Sequence, residues 1–178
     1  SAGKLRLAGT RMLIILSGKP GSGKTTLARA LARKIGAVLV RIDTIEEAIL
    51  AEMQSGAVDG GAGYRIGYQI AADNLRLGRT VIADSVNPIR LTRDAWREVA
   101  KDAGVAFIDV AVTCSDEAEH RRRIETRQGG PRRLTWQDVV TRHLDPVDAG
   151  MAVVDTAGRS IDESLATLSA MVPCGLRA

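Results

Sequence analysis

Short apolar runs alternate along the chain with longer stretches in which apolar residues recur at helical spacing. Five runs have the length and composition of buried strands: residues 12–16, 37–42, 80–83, 105–112 and 151–154. Between the first two runs, Leu27, Leu31 and Ile35 recur at every fourth position and predict a crossover helix. The alternation predicts an α/β protein with a parallel sheet that helices cover on both faces.

Three more stretches carry apolar residues at helical spacing: residues 64–77, 95–103 and 161–172. Helix starts are predicted where a hydroxyl residue precedes an acid by three positions, as in Thr44/Glu47, Thr135/Asp138 and Ser160/Glu163. Glycine-rich segments at 56–63 and 129–131 are predicted to be mobile loops.

Composition narrows the class of protein. The 178 residues correspond to a single domain, 1–178, with a core of about 11–172. A hydrophobic fraction of 45%, with no apolar run of membrane-spanning length, predicts a cytoplasmic protein without a membrane partner. The net charge of +4 suits an anionic partner such as nucleotide phosphate. An aromatic content of 3% argues against a nucleic-acid partner that is bound by base stacking.

A phosphate-binding signature follows the first predicted strand directly. Residues 18–25 read GKPGSGKT and match G-x-x-x-x-G-K-[ST], and the predicted crossover helix comes next. We call them the phosphate loop. Glycines there let backbone N–H groups surround an oligophosphate at the positive end of a helix. Lys24 would reach the β and γ phosphates, and Thr25 would offer its hydroxyl to Mg²⁺.

The alternative is a glycine turn that arose by chance. The residues predicted to bind ATP in this part of the chain are Gly18, Pro20, Gly21, Ser22, Gly23, Lys24, Thr25 and Thr26.

Two acids at predicted strand ends are the next candidates. Asp43 ends the second strand and Asp84 follows the third, and ligands of open parallel sheets gather beyond the carboxyl ends of strands. Asp84 comes after three apolar residues and fits an acid that holds the metal through water. Asp43 suits a carboxylate that takes or orients the proton of an acceptor hydroxyl. Helix capping or turn formation is the alternative for each.

Six arginines lie between residues 121 and 133: Arg121, Arg122, Arg123, Arg127, Arg132 and Arg133. One interpretation is a solvated helix face, which the pairs Glu117/Arg121 and Glu119/Arg123 would support. The other is a lid, residues 121–135, that closes over the phosphates and places Arg123 and Arg127 where negative charge develops during transfer.

The sequence resembles a known group of P-loop kinases. The run GKPGSGKTTLARALA, the Asp43 strand end, the stretch VIADSVNP and the RIETR pair are similar to kinases related to zeta toxins, chloramphenicol phosphotransferase, gluconate kinase and polynucleotide 5′-kinase. The resemblance implies a five-stranded parallel sheet in the order 2-3-1-4-5, ATP with Mg²⁺, and a lid. It also implies that Asp43 is the catalytic base, that Asp84 lies near the metal, that Arg123 and Arg127 touch ATP and that Asn87 lies near the substrate.

Two further features concern the ligands. Residues 155–158 read DTAG, a motif that contacts the γ-phosphate in GTPases, but here it comes 137 residues after Gly18. We interpret it as the loop after the last strand. The resemblance implies that this loop lies against adenine. On the acceptor side, Arg65, Arg90 and Arg93 would either meet an anionic acceptor or be surface charges, and we favour the surface.

These observations predict a kinase that transfers the γ-phosphoryl group of ATP to a hydroxyl of a small molecule. A helical insertion at 44–78 would form the wall of the acceptor pocket. A regulatory ATPase without an acceptor and a kinase of nucleic-acid 5′-hydroxyls are the alternatives. The kinase is favoured because an acid follows the second strand and a lid would exclude water.

Overall fold

The computed structural model describes residues 11–53, 61–127 and 134–173. Five strands and seven helices follow one another in these ranges: β1 (Met12–Ser17), α1 (Lys24–Ile35), β2 (Val38–Arg41), α2 (Ile42–Glu52), α3 (Ala62–Arg76), β3 (Val81–Asp84), α4 (Arg90–Asp102), β4 (Ala106–Thr113), α5 (Glu117–Glu125), α6 (Trp136–Val140), β5 (Ala152–Asp155) and α7 (Ile161–Met171).

The strands form one parallel sheet in the order β2-β3-β1-β4-β5. Both the α/β class and the strand order implied by the resemblance are thereby confirmed. The central strand β1 is buried along its whole length and pairs with β3 and β4. Since all strands are parallel, their carboxyl ends meet at one edge of the sheet, where the phosphate loop also begins.

Helices cover both faces of the sheet because successive residues of β1 point to opposite sides. Met12, Ile14 and Leu16 pack in a core with residues of α1 and α7. Leu13 and Ile15 pack in a second core with residues of α3 and α4, which includes the fully buried Trp96. The near-continuous apolar sequence of β1 is therefore what a strand buried on both faces requires.

Two of the three predicted capping boxes are confirmed. The hydroxyls of Thr135 and Ser160 accept hydrogen bonds from the backbone N–H groups of Asp138 and Glu163, whose carboxylates return the contact to the cap residues. The third prediction is wrong because β2 runs directly into α2, which begins at Ile42, so Thr44 lies inside the first turn.

The same junction corrects the position of Asp43. The predicted second strand extends to residue 42, but β2 ends at Arg41, and Asp43 therefore lies in the first turn of α2. A carboxylate is favourable there because the amino-terminal end of a helix carries partial positive charge.

The predicted loop at 129–131 and most of the one at 56–63 lie outside the described residues. None of the helices in the described ranges is long and apolar enough to cross a bilayer.

Candidate active site

The phosphate loop connects β1 to α1 and is fixed by backbone contacts. The N–H of Gly18 donates to the carbonyl of Val86 at 3.2 Å, and the N–H of Ser22 donates to the carbonyl of Lys19 at 3.2 Å. A Cβ at position 18 would collide with the carbonyl oxygen of Val112. Gly23 caps α1 with a φ of 92°, a conformation that glycine adopts at little energetic cost. The loop therefore turns tightly and presents the amino-terminal end of α1.

A cavity of about 730 Å³ lies along this edge of the sheet, from α2 at one end to α7 at the other. Nine of the residues predicted from the sequence line it: Pro20, Gly21, Gly23, Lys24, Thr25, Thr26, Asp43, Arg123 and Arg127. The structure thus brings most of the predicted nucleotide site and the predicted base around one space large enough for a nucleotide.

Cations dominate the lining of this cavity. Lys24 is 5% exposed, and Arg29, Arg41 and Arg159 line the cavity together with the two arginines of the predicted lid. Sequence reasoning missed these three arginines, although Arg41 stands two positions before Asp43. The lining suits a polyanion such as a triphosphate.

Acidic groups gather at the α2 end. Asp43 and Glu47 line the cavity, and Glu46 lies between them in sequence on the first turns of α2. Burial, and then the nearby charge of Asp43, raise the pKa of Glu46. Burial also raises the pKa of Tyr64, with smaller contributions from Glu46 and Asp43. The tyrosine and the carboxylates are therefore within electrostatic reach of one another, and Tyr64 stays protonated at neutral pH.

Asp84 is the last residue of β3 and pairs in register with Arg41 of β2. The Nε of Arg41 lies 3.3 Å from one carboxylate oxygen of Asp84, while the other oxygen, Oδ1, is buried without a hydrogen-bond partner among the described residues. An unpartnered carboxylate oxygen would fit the water shell of Mg²⁺, since Mg²⁺ prefers oxygen ligands. No cluster of three or more His, Cys, Asp or Glu side chains in the described ranges could hold a metal ion. Phosphates and water would therefore have to complete the shell of such an ion.

Arg123 is held by the loop that follows β5. Its guanidinium donates to the hydroxyl of Thr156 at 2.7 Å and to the Thr156 carbonyl at 3.0 Å, and also to Glu119 at 2.6 Å. The second oxygen of Glu119 accepts from the N–H of Gly158 at 2.8 Å. The hydroxyl of Thr156 also lies 2.8 Å from the carbonyl oxygen of Ser22, so the DTAG segment connects α5 to the phosphate loop. The pair of Glu119 with Arg123 that the spacing predicted is present, whereas the contacts of Thr156 were not found from the sequence.

Arg127 differs from Arg123 in its environment. Helix α5 ends at Glu125, so Arg127 lies beyond the helix that carries Arg123. Arg127 is exposed at the rim of the cavity. The exposed Arg121 lies on a solvated face, but its ion pair is with Glu125 at 2.7 Å, whereas the sequence predicted Glu117 as the partner. Arg132 and Arg133 lie outside the described residues.

Asn87 lies away from this cavity and is committed to hydrogen bonds. Its side-chain oxygen accepts from Ser85 at 2.9 Å and from Trp96 at 3.2 Å, and its amide nitrogen donates to Ser17 at 2.8 Å. With a φ of 49° it is the one residue other than glycine in the described ranges with positive φ. Together with Gly18 and Ser22 it lines a second, largely apolar cavity of about 290 Å³.

The arginines predicted on the acceptor side separate into two groups. Arg90 is exposed and pairs with Asp94 at 3.4 Å, and Arg65 is exposed on α3. The surface interpretation is wrong for Arg93, which is 3% exposed because its guanidinium is paired with Asp148 at 2.9 Å. This pair raises the pKa of Arg93 and lowers the pKa of Asp148.

Comparisons with known proteins place these features among related folds. The sequence model of a family described as "AAA domain" matches residues 13–153. A Chloroflexus aurantiacus protein with a provisional assignment as a kinase is 22% identical, covers 92% of this chain and 100% of its own, and superimposes with a TM-score of 0.70.

Two other solved structures have similar scores. The APS kinase CysC of Mycobacterium tuberculosis, in complex with AMPPNP and APS, is 20% identical with a TM-score of 0.68, over 90% of this chain and 96% of its own. Kti12 of Chaetomium thermophilum, in complex with ADP-AlF3, is 20% identical with a TM-score of 0.66, over 90% of this chain and 99% of its own. At this level of identity the likeness concerns the fold.

Proposed function

This chain belongs to the AAA-domain family and has the fold of P-loop kinases, and on that premise we propose that it is an ATP- and Mg²⁺-dependent phosphotransferase acting on a hydroxyl of a small molecule. One observation carries the proposal: a single cavity is bordered by the phosphate loop, by Asp43 and by Arg127. Such an arrangement would provide a phosphate site, a base and a cation, which are the groups that phosphoryl transfer needs.

The nucleotide would occupy the cavity from the phosphate loop towards α7. Backbone N–H groups of the loop and the free N–H groups of the first turn of α1 would bind the phosphates. Lys24 would contact the β and γ phosphates as a largely desolvated charge, which makes the interaction strong. Mg²⁺, held by Thr25 and by Asp84 through water, would offset charge on the phosphates. The contact with Arg41 need not break for this, since it uses only Oδ2 of Asp84.

Asp43 would act on the acceptor. It lines the α2 end of the same cavity, and its side chain is half-buried at the start of a helix. A carboxylate in that position would orient the acceptor hydroxyl and take its proton as the bond to phosphorus forms. Helices α2 and α3 would form the wall of the acceptor site.

Arg127 would complete the site from the side of the lid. Because it is exposed and follows the end of α5, it can approach the transferring group without any change in the helix. Its guanidinium would stabilise the charge that develops on the transferred phosphoryl group, and closure of the lid would exclude water.

The test is a screen for ADP release by the purified protein with ATP, Mg²⁺ and candidate acceptors: antibiotics, sugars, nucleosides and oligonucleotides with free 5′ ends. A small-molecule kinase should show slow ATP hydrolysis alone and faster turnover with the right acceptor, and mass spectrometry should find the phosphorylated product. Calorimetry that detects no binding of ATP with Mg²⁺ would contradict the proposal. Hydrolysis that responds only to a protein partner would favour a regulatory ATPase.

A further inference from the structure

Thr156 connects three parts of the molecule through one buried side chain. It follows β5, is 4% exposed, and its hydroxyl oxygen lies 2.8 Å from the carbonyl oxygen of Ser22 and 3.0 Å from that of Thr113. The same oxygen accepts a hydrogen bond from Arg123 at 2.7 Å. A hydroxyl has one proton, so it donates to one of the two carbonyls at a time while it accepts from the arginine.

The contact with Ser22 concerns the orientation of a peptide group in the phosphate loop. In a planar trans peptide the carbonyl and the following N–H point in opposite directions. Because the Ser22 carbonyl points to Thr156, the N–H of Gly23 points away from it. Gly23 lines the nucleotide cavity and is the N-cap residue of α1, so its N–H is one of the donors at the helix start that have no partner within the helix.

This peptide group can also be reversed. Gly23 has a φ of 92°, and glycine populates positive and negative φ about equally, so the Ser22–Gly23 peptide can rotate with little steric hindrance. A rotated peptide would turn a carbonyl oxygen towards the phosphates, where it would repel them. A hydrogen bond from outside the loop would hold this peptide in one orientation, and we call such a bond a lock. The Thr156 hydroxyl is in hydrogen-bond contact with the Ser22 carbonyl, which is the group that would move.

The environment of Thr156 fixes its own position. Its N–H donates to the carbonyl of Thr113 at 2.9 Å, which continues the pairing of β5 with β4, and its carbonyl accepts from Arg123. Glu119 holds the same guanidinium from α5. The hydroxyl is thus presented to Ser22 by a side chain that the sheet edge and two charged groups keep in place.

We propose that Thr156 is a positioning residue that locks the Ser22–Gly23 peptide with the Gly23 N–H available to nucleotide phosphate, and that the same hydroxyl couples the lock to Arg123. The inference rests on the proposed function, because it assigns Thr156 a role in the site where ATP would bind. Arg123 then acts on the nucleotide site through Thr156 and Glu119.

The experiment compares Thr156→Val, which keeps the shape and removes the hydroxyl, with Thr156→Ser, which keeps the hydroxyl. Thr141→Val is the matched control, because Thr141 is exposed and its hydroxyl donates to the carbonyl of Gln137 in the preceding helix α6. ADP binding is measured by calorimetry on the full chain, and the Gly23 amide is followed by NMR on ¹⁵N-labelled protein. We expect the valine variant to bind ADP about tenfold more weakly, while the serine and Thr141→Val variants stay within about twofold of wild type.

The Gly23 amide resonance should shift on ADP addition in the wild type and in Thr156→Ser, and it should fail to shift in Thr156→Val. If Thr156→Val binds ADP with wild-type affinity and shows the wild-type amide shift, this inference is overturned while the proposed function stands. The same holds if Thr156→Ser binds ADP as weakly as Thr156→Val. If Thr156→Val does not fold, Thr156→Ala answers the same question. A wild-type protein that binds no ADP would overturn the proposed function and this inference together.

Discussion

The two ends of the nucleotide cavity are built in different ways. At the phosphate loop, backbone groups are held by partners from distant parts of the chain: Gly18 by Val86, Ser22 by Thr156, and Pro20 by His120, whose Nε2 donates to the Pro20 carbonyl at 2.7 Å. At the α2 end, the groups that face the cavity are side chains of one helix and the strand before it. The end that would bind an invariant triphosphate is preorganised backbone, whereas the end that would bind the acceptor is a set of exchangeable side chains.

The largest loss of activity is expected from replacing Lys24 at the phosphate loop. We expect Lys24→Ala to lower phosphoryl transfer by ~10³-fold or more, because a desolvated charge on the transferring phosphate is lost. Steady-state ADP release measures the effect. Lys19→Ala is the matched control, because Lys19 lies in the same loop but borders the second cavity, and it should retain transfer. Full activity in Lys24→Ala would refute the assignment of the loop.

Replacing Asp43 should affect the acceptor end of the cavity and leave ATP binding at the phosphate loop unchanged. Asp43→Asn should lower kcat by ~10²-fold while the affinity for ATP stays near wild type, since proton handling matters only in the transition state. Calorimetry with ATP analogues and acceptor-dependent kinetics measure the two quantities. Glu52→Gln, at the exposed end of the same helix, controls for a change of charge on α2. An equal loss of ATP binding would instead place Asp43 on the nucleotide.

The smallest effect is expected at the rim. Arg127→Ala should lower kcat by roughly tenfold, because its charge would act only once the lid has closed. The melting temperature of Arg127→Ala should stay close to that of wild type, as for most substitutions of exposed residues. Thermal denaturation and single-turnover transfer are compared with those of Arg122→Ala, an exposed neighbour on α5. A large drop in melting temperature in Arg127→Ala alone would show that the residue supports the fold.

Helix starts could be predicted where they depend on residues close together in the sequence. The capping pairs at Thr135 and Ser160 depend on residues three positions apart, so the sequence contains all that their geometry needs. The same pattern at Thr44 failed because β2 continues into α2 without a loop, and nothing local marks that junction.

Contacts between distant residues were not predictable in the same way. Thr156 meets Ser22 across 134 positions, and Arg93 meets Asp148 across 55. An arginine on a helix with many polar residues looks like a surface charge until the fold supplies a carboxylate partner. The hydrogen bonds from Arg123 to Thr156 and from Gly158 to Glu119 depend on how the fold places α5 beside the loop after β5, which no local pattern predicts.

The excursion from β2 to β3 leaves the sheet at its outermost strand and returns at the adjacent one. Its two helices can therefore be transplanted between relatives without cutting through the central strands or the phosphate loop. A graft must keep Tyr64, Ala71 and Leu75, which pack into the core beneath α3. The exposed positions of α2 are free of that constraint. If the proposed function holds, directed evolution of acceptor preference should begin there.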